Sequence, residues 1–201
     1  MSGMADLSKA VLQALSDSGL LLLQDQHLPS VVALVTGETP RTSWWSHPKG
    51  RLIYAVVTEL AEHPDVLFTK LLHTKVTLVH RRLWSALMAV VPAGQAWQLS
   101  GLSVAAQRLL ASANESQSPI PSSGPAVKQL EARLLAHTQE VHGELGRHEV
   151  MVQSWAAWAR REKVRPLSSM EAGKKRIEEA ATAIGADLAA LPWRSNEKRR
   201  H

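Results

Sequence analysis

The segment from Ala113 to Pro125 reads A-N-E-S-Q-S-P-I-P-S-S-G-P, and a chain that contains it cannot run on as one continuous helical body. Its three Pro, one Gly and four Ser remove backbone donors and offer no apolar periodicity. That composition excludes a helix or a central strand and predicts an exposed linker. The 201 residues thus divide into an N-terminal domain, 1–112, the linker, 113–125, a C-terminal region, 126–193, and a basic tail, 194–201.

On either side of the linker the apolar spacing predicts helices. Leu7, Val11, Leu12 and Leu15 recur at helical intervals and stop at Asp17-Ser18-Gly19. Ser30–Thr36 follows Pro29 and can close on Gly37 in a left-handed cap. Pro48 can open a helix running to about Glu62, apolar enough to be mostly buried. Residues 66–80 fit either a hairpin turning at His73-Thr74 or a helix followed by an extended piece. Helical readings follow for Arg81–Val91 and Ser103–Ser112. In the C-terminal region Val127, Leu130, Leu134, Val141 and Leu145 form a helical stripe, weakened at Gly143 and Gly146 and resumed from Met151 to Ala159. Ser168 with Glu171 reads as a capping box. Apolar residues make up 45 % of the chain, with single Phe and Tyr residues and seven Trp as the bulky fillers, which disfavours a large sheet. The predicted fold class is mainly α: an orthogonal helical N-terminal domain, with or without a small hairpin near 66–80, plus long C-terminal helices.

Several functional classes fall away on composition. Cysteine is absent, so disulfides and thiolate metal sites are excluded, and a reducing, cytoplasmic setting is expected. The apolar runs Leu20–Leu23 and Val31–Val35 are too short to span a bilayer, and no membrane association is expected. The opening residues lack a charged stretch before an apolar run, so they do not resemble a secretory leader. A net charge of +5 invites a polyanionic partner, yet residues 194–201 alone carry +3 of it. The pI therefore says little about the folded body.

Three constellations could carry chemistry. The first is Thr42 to Arg51, where Trp44, Trp45, His47, Lys49 and Arg51 crowd a predicted helix start. Free N–H groups there suit an anion, and Trp faces can stack a base. A plain packing role for the two Trp, with solvated cations, accounts for the same residues. The second is the basic run Lys70, Lys75, Arg81 and Arg82, interleaved with His73 and His80. With a hairpin at 66–80 after a helix, its order resembles the wing of a winged helix, although the preceding helix is too apolar to read a groove. The third is metal-like: His137, Glu140, Glu144 and His148 on one helix would share an arc of about 80° but span about 16 Å along the axis. One ion cannot bridge that length, and flanking a core stripe explains the spacing equally well.

No nucleophile elbow is present, and no cofactor is expected. The expected function is a non-enzymatic binding protein, with DNA or RNA held by its phosphate backbone through the Trp/basic turn and the basic segment. The competing expectation is a helical scaffold whose C-terminal helices pair with another protein, and a metal-dependent enzyme comes third.

Overall fold

Three consecutive leucines organise the N-terminal half, because successive side chains of a strand point to opposite faces. In strand β1 (Leu20–Leu22), Leu21 joins one hydrophobic core while Leu20 and Leu22 join another. The computed structural model describes residues 2–39, 42–142 and 148–195. In chain order the N-terminal half comprises α1 (Ser2–Ser18), β1, α2 (Val31–Thr36), a 3-10 turn at Trp44–Ser46, α3 (Gly50–Ala61), β2 (Val66–Lys70) and β3 (Val76–His80). Then follow α4 (Trp84–Val90), α5 (Ala96–Leu99), α6 (Val104–Glu115), β4 (Ile120–Ser122), α7 (Pro125–Ala132), β5 (His137–His142) and β6 (His148–Gln153). Helices α8 (Trp155–Arg161), α9 (Met170–Ala183) and α10 (Pro192–Ser195) complete the described chain.

The strands form two antiparallel three-stranded sheets, ordered β1-β3-β2 and β4-β6-β5. In the first sheet Leu21, Leu78 and Val66 face α1, α2 and α3, burying Val11, Leu15, Val32, Ile53 and Leu60. Leu20, Leu22, Leu67 and Val79 face the other way, onto α4 and α9 and the rings of Trp155, Trp158 and Trp193. Each strand is apolar on both faces because both faces are covered. The second sheet is covered along one face, where Ile120, Val150 and Val152 meet α6 and α7. On its other face Pro121, Gln139 and Glu149 are exposed, while the paired His137 and Gln153 at one end are buried.

The sequence helix, strand, helix, helix, strand, strand with sheet order β1-β3-β2 is the connection order of a winged helix. Residues 104–153 repeat it in shortened form, as α6, β4, α7, β5 and β6 with the equivalent sheet order. The repeat is one of topology and leaves no sequence periodicity.

This architecture corrects the mainly α expectation. The described residues are 55 % helix and 15 % strand, a mixed α/β fold, and the long C-terminal helices are replaced in part by a second sheet. The stripe predicted as helix through 137–153 is the β5–β6 hairpin, paired from His137↔Gln153 to His142↔His148. Local signals were present: Val150 and Val152 favour extended backbone, and Gly143 and Gly146 fall between the two strands. Residues 66–80 take the hairpin, with His73 and Thr74 both at positive φ, 50° and 56°. The predicted helix 30–36 forms as read, with the Ser30 hydroxyl accepting from Ala33 N–H and Gly37 at φ 80°. The last long helix is capped one residue later than predicted, by Ser169 instead of Ser168.

Within 113–125, α6 extends to Glu115 and Ile120–Ser122 forms an edge strand against β6. Pro121 is tolerated there because an edge strand need not donate on its outer side.

Candidate functional site

The Trp turn is built by a side-chain clamp. Gln24 donates from Nε2 to the Thr42 carbonyl at 2.6 Å and accepts from Trp44 N–H through Oε1 at 3.1 Å. The chain then folds back over the start of α3, where Gly50 N–H donates to the His47 carbonyl at 2.8 Å. A Cβ on Gly50 would lie 3.2 Å from the Trp44 carbonyl oxygen, so the glycine permits that close return.

The two tryptophans do different jobs. Trp44 is buried in the core beneath α3. Trp45 stacks on it, with ring centroids 3.8 Å apart and planes at 25°, yet remains 68 % exposed. Tyr54, one turn into α3 and 39 % exposed, sits 6.0 Å from the Trp45 ring. The result is an aromatic ledge fixed from below by a buried indole and open above. A solvent-facing Trp in a rigid seat forgoes burial worth a few kcal/mol, so its exposure calls for an explanation.

The polar residues of the turn mostly serve the turn. His47 bonds Glu38 Oε1 through Nε2 at 2.8 Å and accepts from Lys49 N–H through Nδ1 at 3.0 Å. Neutral His47 therefore carries its proton on Nε2 and donates it to the carboxylate. Lys49 donates from Nζ to the Thr36 carbonyl at 2.8 Å, at the C-terminal end of α2, where a cation is favoured. Arg51 is exposed and makes no hydrogen bond or ion pair among the described residues.

The basic segment differs from the free strip its sequence suggests. Lys70 pairs with Glu131 at 2.6 Å and ties the first sheet to α7. Lys75 pairs with Asp25 at 2.6 Å. Burial alone would raise the Asp25 carboxyl, but the Lys75 bond and the N–H groups of His27 and Leu28 outweigh it and bring the group down to about 2. Arg81 lies 3.8 Å from Asp65, donates to the Pro64 carbonyl and covers the Trp84 ring at 5.2 Å. Arg82 donates to the Asp17 carbonyl at 2.9 Å. His80 accepts from Arg82 N–H, and partial burial lowers its pKa. These cations, read as a phosphate strip, are spent largely on the chain's own carbonyls and carboxylates.

The metal-like quartet does not assemble as a helical arc. His137 and Glu140 stand on β5, separated by three positions of an extended chain, so their side chains point to opposite faces. Glu144 and the side chain of His148 lie outside the described residues. His137 is 7 % exposed, shares a bond of 3.1 Å with Gln153 Nε2 through Nδ1, and is flanked by Trp155 and Trp158 at 5.4 and 5.8 Å. Burial, helped by the nearby Arg161 charge, pushes its pKa down to about 3. It is a core imidazole. Among the described residues no group of three or more His, Asp or Glu side chains could hold a metal ion.

Comparison with known protein families, with characterised proteins and with solved structures finds no match to this chain. No helix among the described residues is long and apolar enough to cross a membrane.

Two features escaped the sequence reading. Tyr54 lies in the helix expected to be mostly buried, although it is the chain's only Tyr and its hydroxyl favours a wet position. Residues 160–165 hold Arg160, Arg161, Lys163 and Arg165 against Glu162 alone, a basic density in the C-terminal region. Two of these cations are engaged, Arg160 with Gln117 at 3.1 Å and Arg161 with Gln153 and Glu162 at 2.9 Å each.

Proposed function

We propose that this protein is a non-enzymatic binding protein that holds nucleic acid at the Trp45 ledge. The observation that carries the reading is an indole kept largely exposed while its partner indole is sunk in the core. Stacking on such a ring is worth about 1–3 kcal/mol per base and tolerates any base. Arg51 stands at the same helix start with its guanidinium uncommitted among the described residues, and a phosphate is its natural partner. In this proposal Trp45, Tyr54 and Arg51 make contact, while Trp44, His47 and Lys49 hold the ledge. Lys70, Lys75, Arg81 and Arg82 contribute a diffuse positive field at most, because each is already engaged.

The test is binding to a labelled oligonucleotide across a salt series. Arg51→Ala is expected to weaken binding to all sequences alike and to lower the slope of log K against log salt by about one unit. The basic tail needs its own control, in which Lys198, Arg199 and Arg200 are all changed to Ala. Binding that survives Arg51→Ala unchanged but vanishes with the tail charges would sink the proposal.

A protein partner is the second reading, favoured by Glu59 and Glu62 further along the exposed side of α3. Exposed Trp and Tyr beside an Arg are also the residues that dominate protein interfaces. Such a partner would bind through the ledge and not through the C-terminal helices. The apolar sides of α8 and α9 are already covered within the chain, with Trp155, Trp158 and Ile177 in the central core.

A further inference from the structure

Two features around α3 bear on the form of nucleic acid the ledge can take. The first is charge along the helix. At about 100° per residue, Arg51, Tyr54, Thr58, Ala61 and Glu62 project from one side, all exposed, with Glu59 at its margin. Glu59 is held in place by the Ser8 hydroxyl at 2.6 Å. The cation stands in the first turn and both carboxylates lie about 12–16 Å further along the axis. A helix laid in the major groove of a duplex runs between two lines of phosphate. Over its second half α3 would meet them with negative charge.

The second feature is the β2–β3 connection, the wing of this arrangement. Leu71 and Leu72 are fully buried in the central core. His73 N–H donates to the Ala190 carbonyl at 2.8 Å, and Lys75 is held by Asp25. A wing that braces a duplex must project to reach its backbone. This one is short and tied back to the chain, with Leu71 and Leu72 buried and only His73, Thr74 and Lys75 at the surface.

Resting on the nucleic-acid reading above, we infer that the ligand of the Trp45–Tyr54–Arg51 ledge is single-stranded, with an unpaired base stacked on Trp45 and a neighbouring phosphate on Arg51. A duplex keeps its base faces inside the stack, whereas a single strand offers them, and a ledge that needs only one turn of α3 avoids Glu59 and Glu62. Trp45 is already stacked on one face by Trp44, so a base on the other face extends an existing stack instead of building one.

The experiment compares a fifteen-nucleotide oligo-dT, the matching oligo-U and a hairpin duplex of equal charge, using the full chain with Lys198, Arg199 and Arg200 neutralised. The single strands are expected to bind at least about tenfold more tightly than the duplex and to quench Trp fluorescence. Trp45→Ala, whose fold is checked by circular dichroism, is expected to lose about tenfold in single-strand affinity and most of the quenching, with duplex binding unchanged. Duplex binding as tight as single-strand binding, or an equal loss of both in Trp45→Ala, overturns single-strand selectivity and leaves the nucleic-acid reading in place. No binding of any form overturns both.

Discussion

Gly173 stands where α9 crosses α4, and a Cβ there would come within 2.5 Å of the Ala86 carbonyl oxygen and 3.0 Å of the Ala89 methyl. The first obstacle is backbone, so the helices would have to separate. Gly173→Ala is expected to cost about 1–3 kcal/mol, read as a lower urea midpoint at unchanged m-value. An unshifted midpoint would mean the two helices do not pack so closely. Trp158 is the complementary case of a large side chain in a filled site. It is 3 % exposed and meets Trp84 and Trp155 edge-on at 5.0 and 5.8 Å. Trp158→Ala is expected to cost about 3–5 kcal/mol, and a loss under about 1 kcal/mol would place that ring at the surface.

Among the elements, α10 is too short to hold itself by helix propensity. Side chains anchor it: Trp193 Nε1 donates to Glu178 Oε1 at 2.8 Å, and Arg194 forks onto both carboxylate oxygens at 2.9 Å. The Arg194 bonds, against the opposing effect of partial burial and with help from Trp193, hold the Glu178 carboxyl below its usual range. Glu178→Gln keeps the shape and removes the charge, so hydrogen exchange should quicken over 188–195 and stay unchanged in the first sheet. Uniform acceleration would show that α10 is part of the global folding unit instead. The β5–β6 hairpin carries the lesson about legibility at this scale. Val150 and Val152 alternate as a strand requires, yet Val141 and Val152 also fit the helical stripe, and short apolar runs do not separate the two readings. Pairing with β4 decided it, and that partner lies across α7 in sequence.

For the molecule as a whole, His137 should set the response to mild acid. Its imidazole is neutral in the fold, with a pKa pushed down to about 3, while the unfolded chain takes up the proton near 6.5. The stabilising effect of keeping it neutral is complete above pH 6.5. It is lost at roughly 1.4 kcal/mol per pH unit as pH falls from 6.5 towards 3. Asp25 enters later, since the stability from its lowered pKa is lost only below its ordinary value of 3.8. Urea titrations at pH 7, 6 and 5 should show this slope in the native sequence and a flatter one in His137→Gln. Equal slopes would place the acid response elsewhere. Because the central core joins Leu20 and Leu72 to Trp155, Ile177 and Trp193, denaturation should also be one transition by both Trp fluorescence and circular dichroism.

Local chemistry was sufficient for the parts of this protein that a few neighbouring residues decide. Ser30 and Gly37 bound α2, and the crowding of residues 42–51 around a helix start marked the turn on which Trp45 lies. Those features depend on backbone donors, fixed φ angles and side chains within one turn of each other, all of which are written in sequence order. What the tertiary structure alone decided is which charges remain free and which apolar faces remain open. Lys70 is consumed by Glu131 and Lys75 by Asp25, residues 61 and 50 positions away, while Arg51 keeps its charge uncommitted among the described residues. Trp44 and Trp45 are adjacent and chemically identical, yet one fills the core and the other faces water, because only one side of the turn meets the sheet formed by β1, β2 and β3. Ion pairing and burial are long-range in sequence, so they follow from the fold and cannot be read before it.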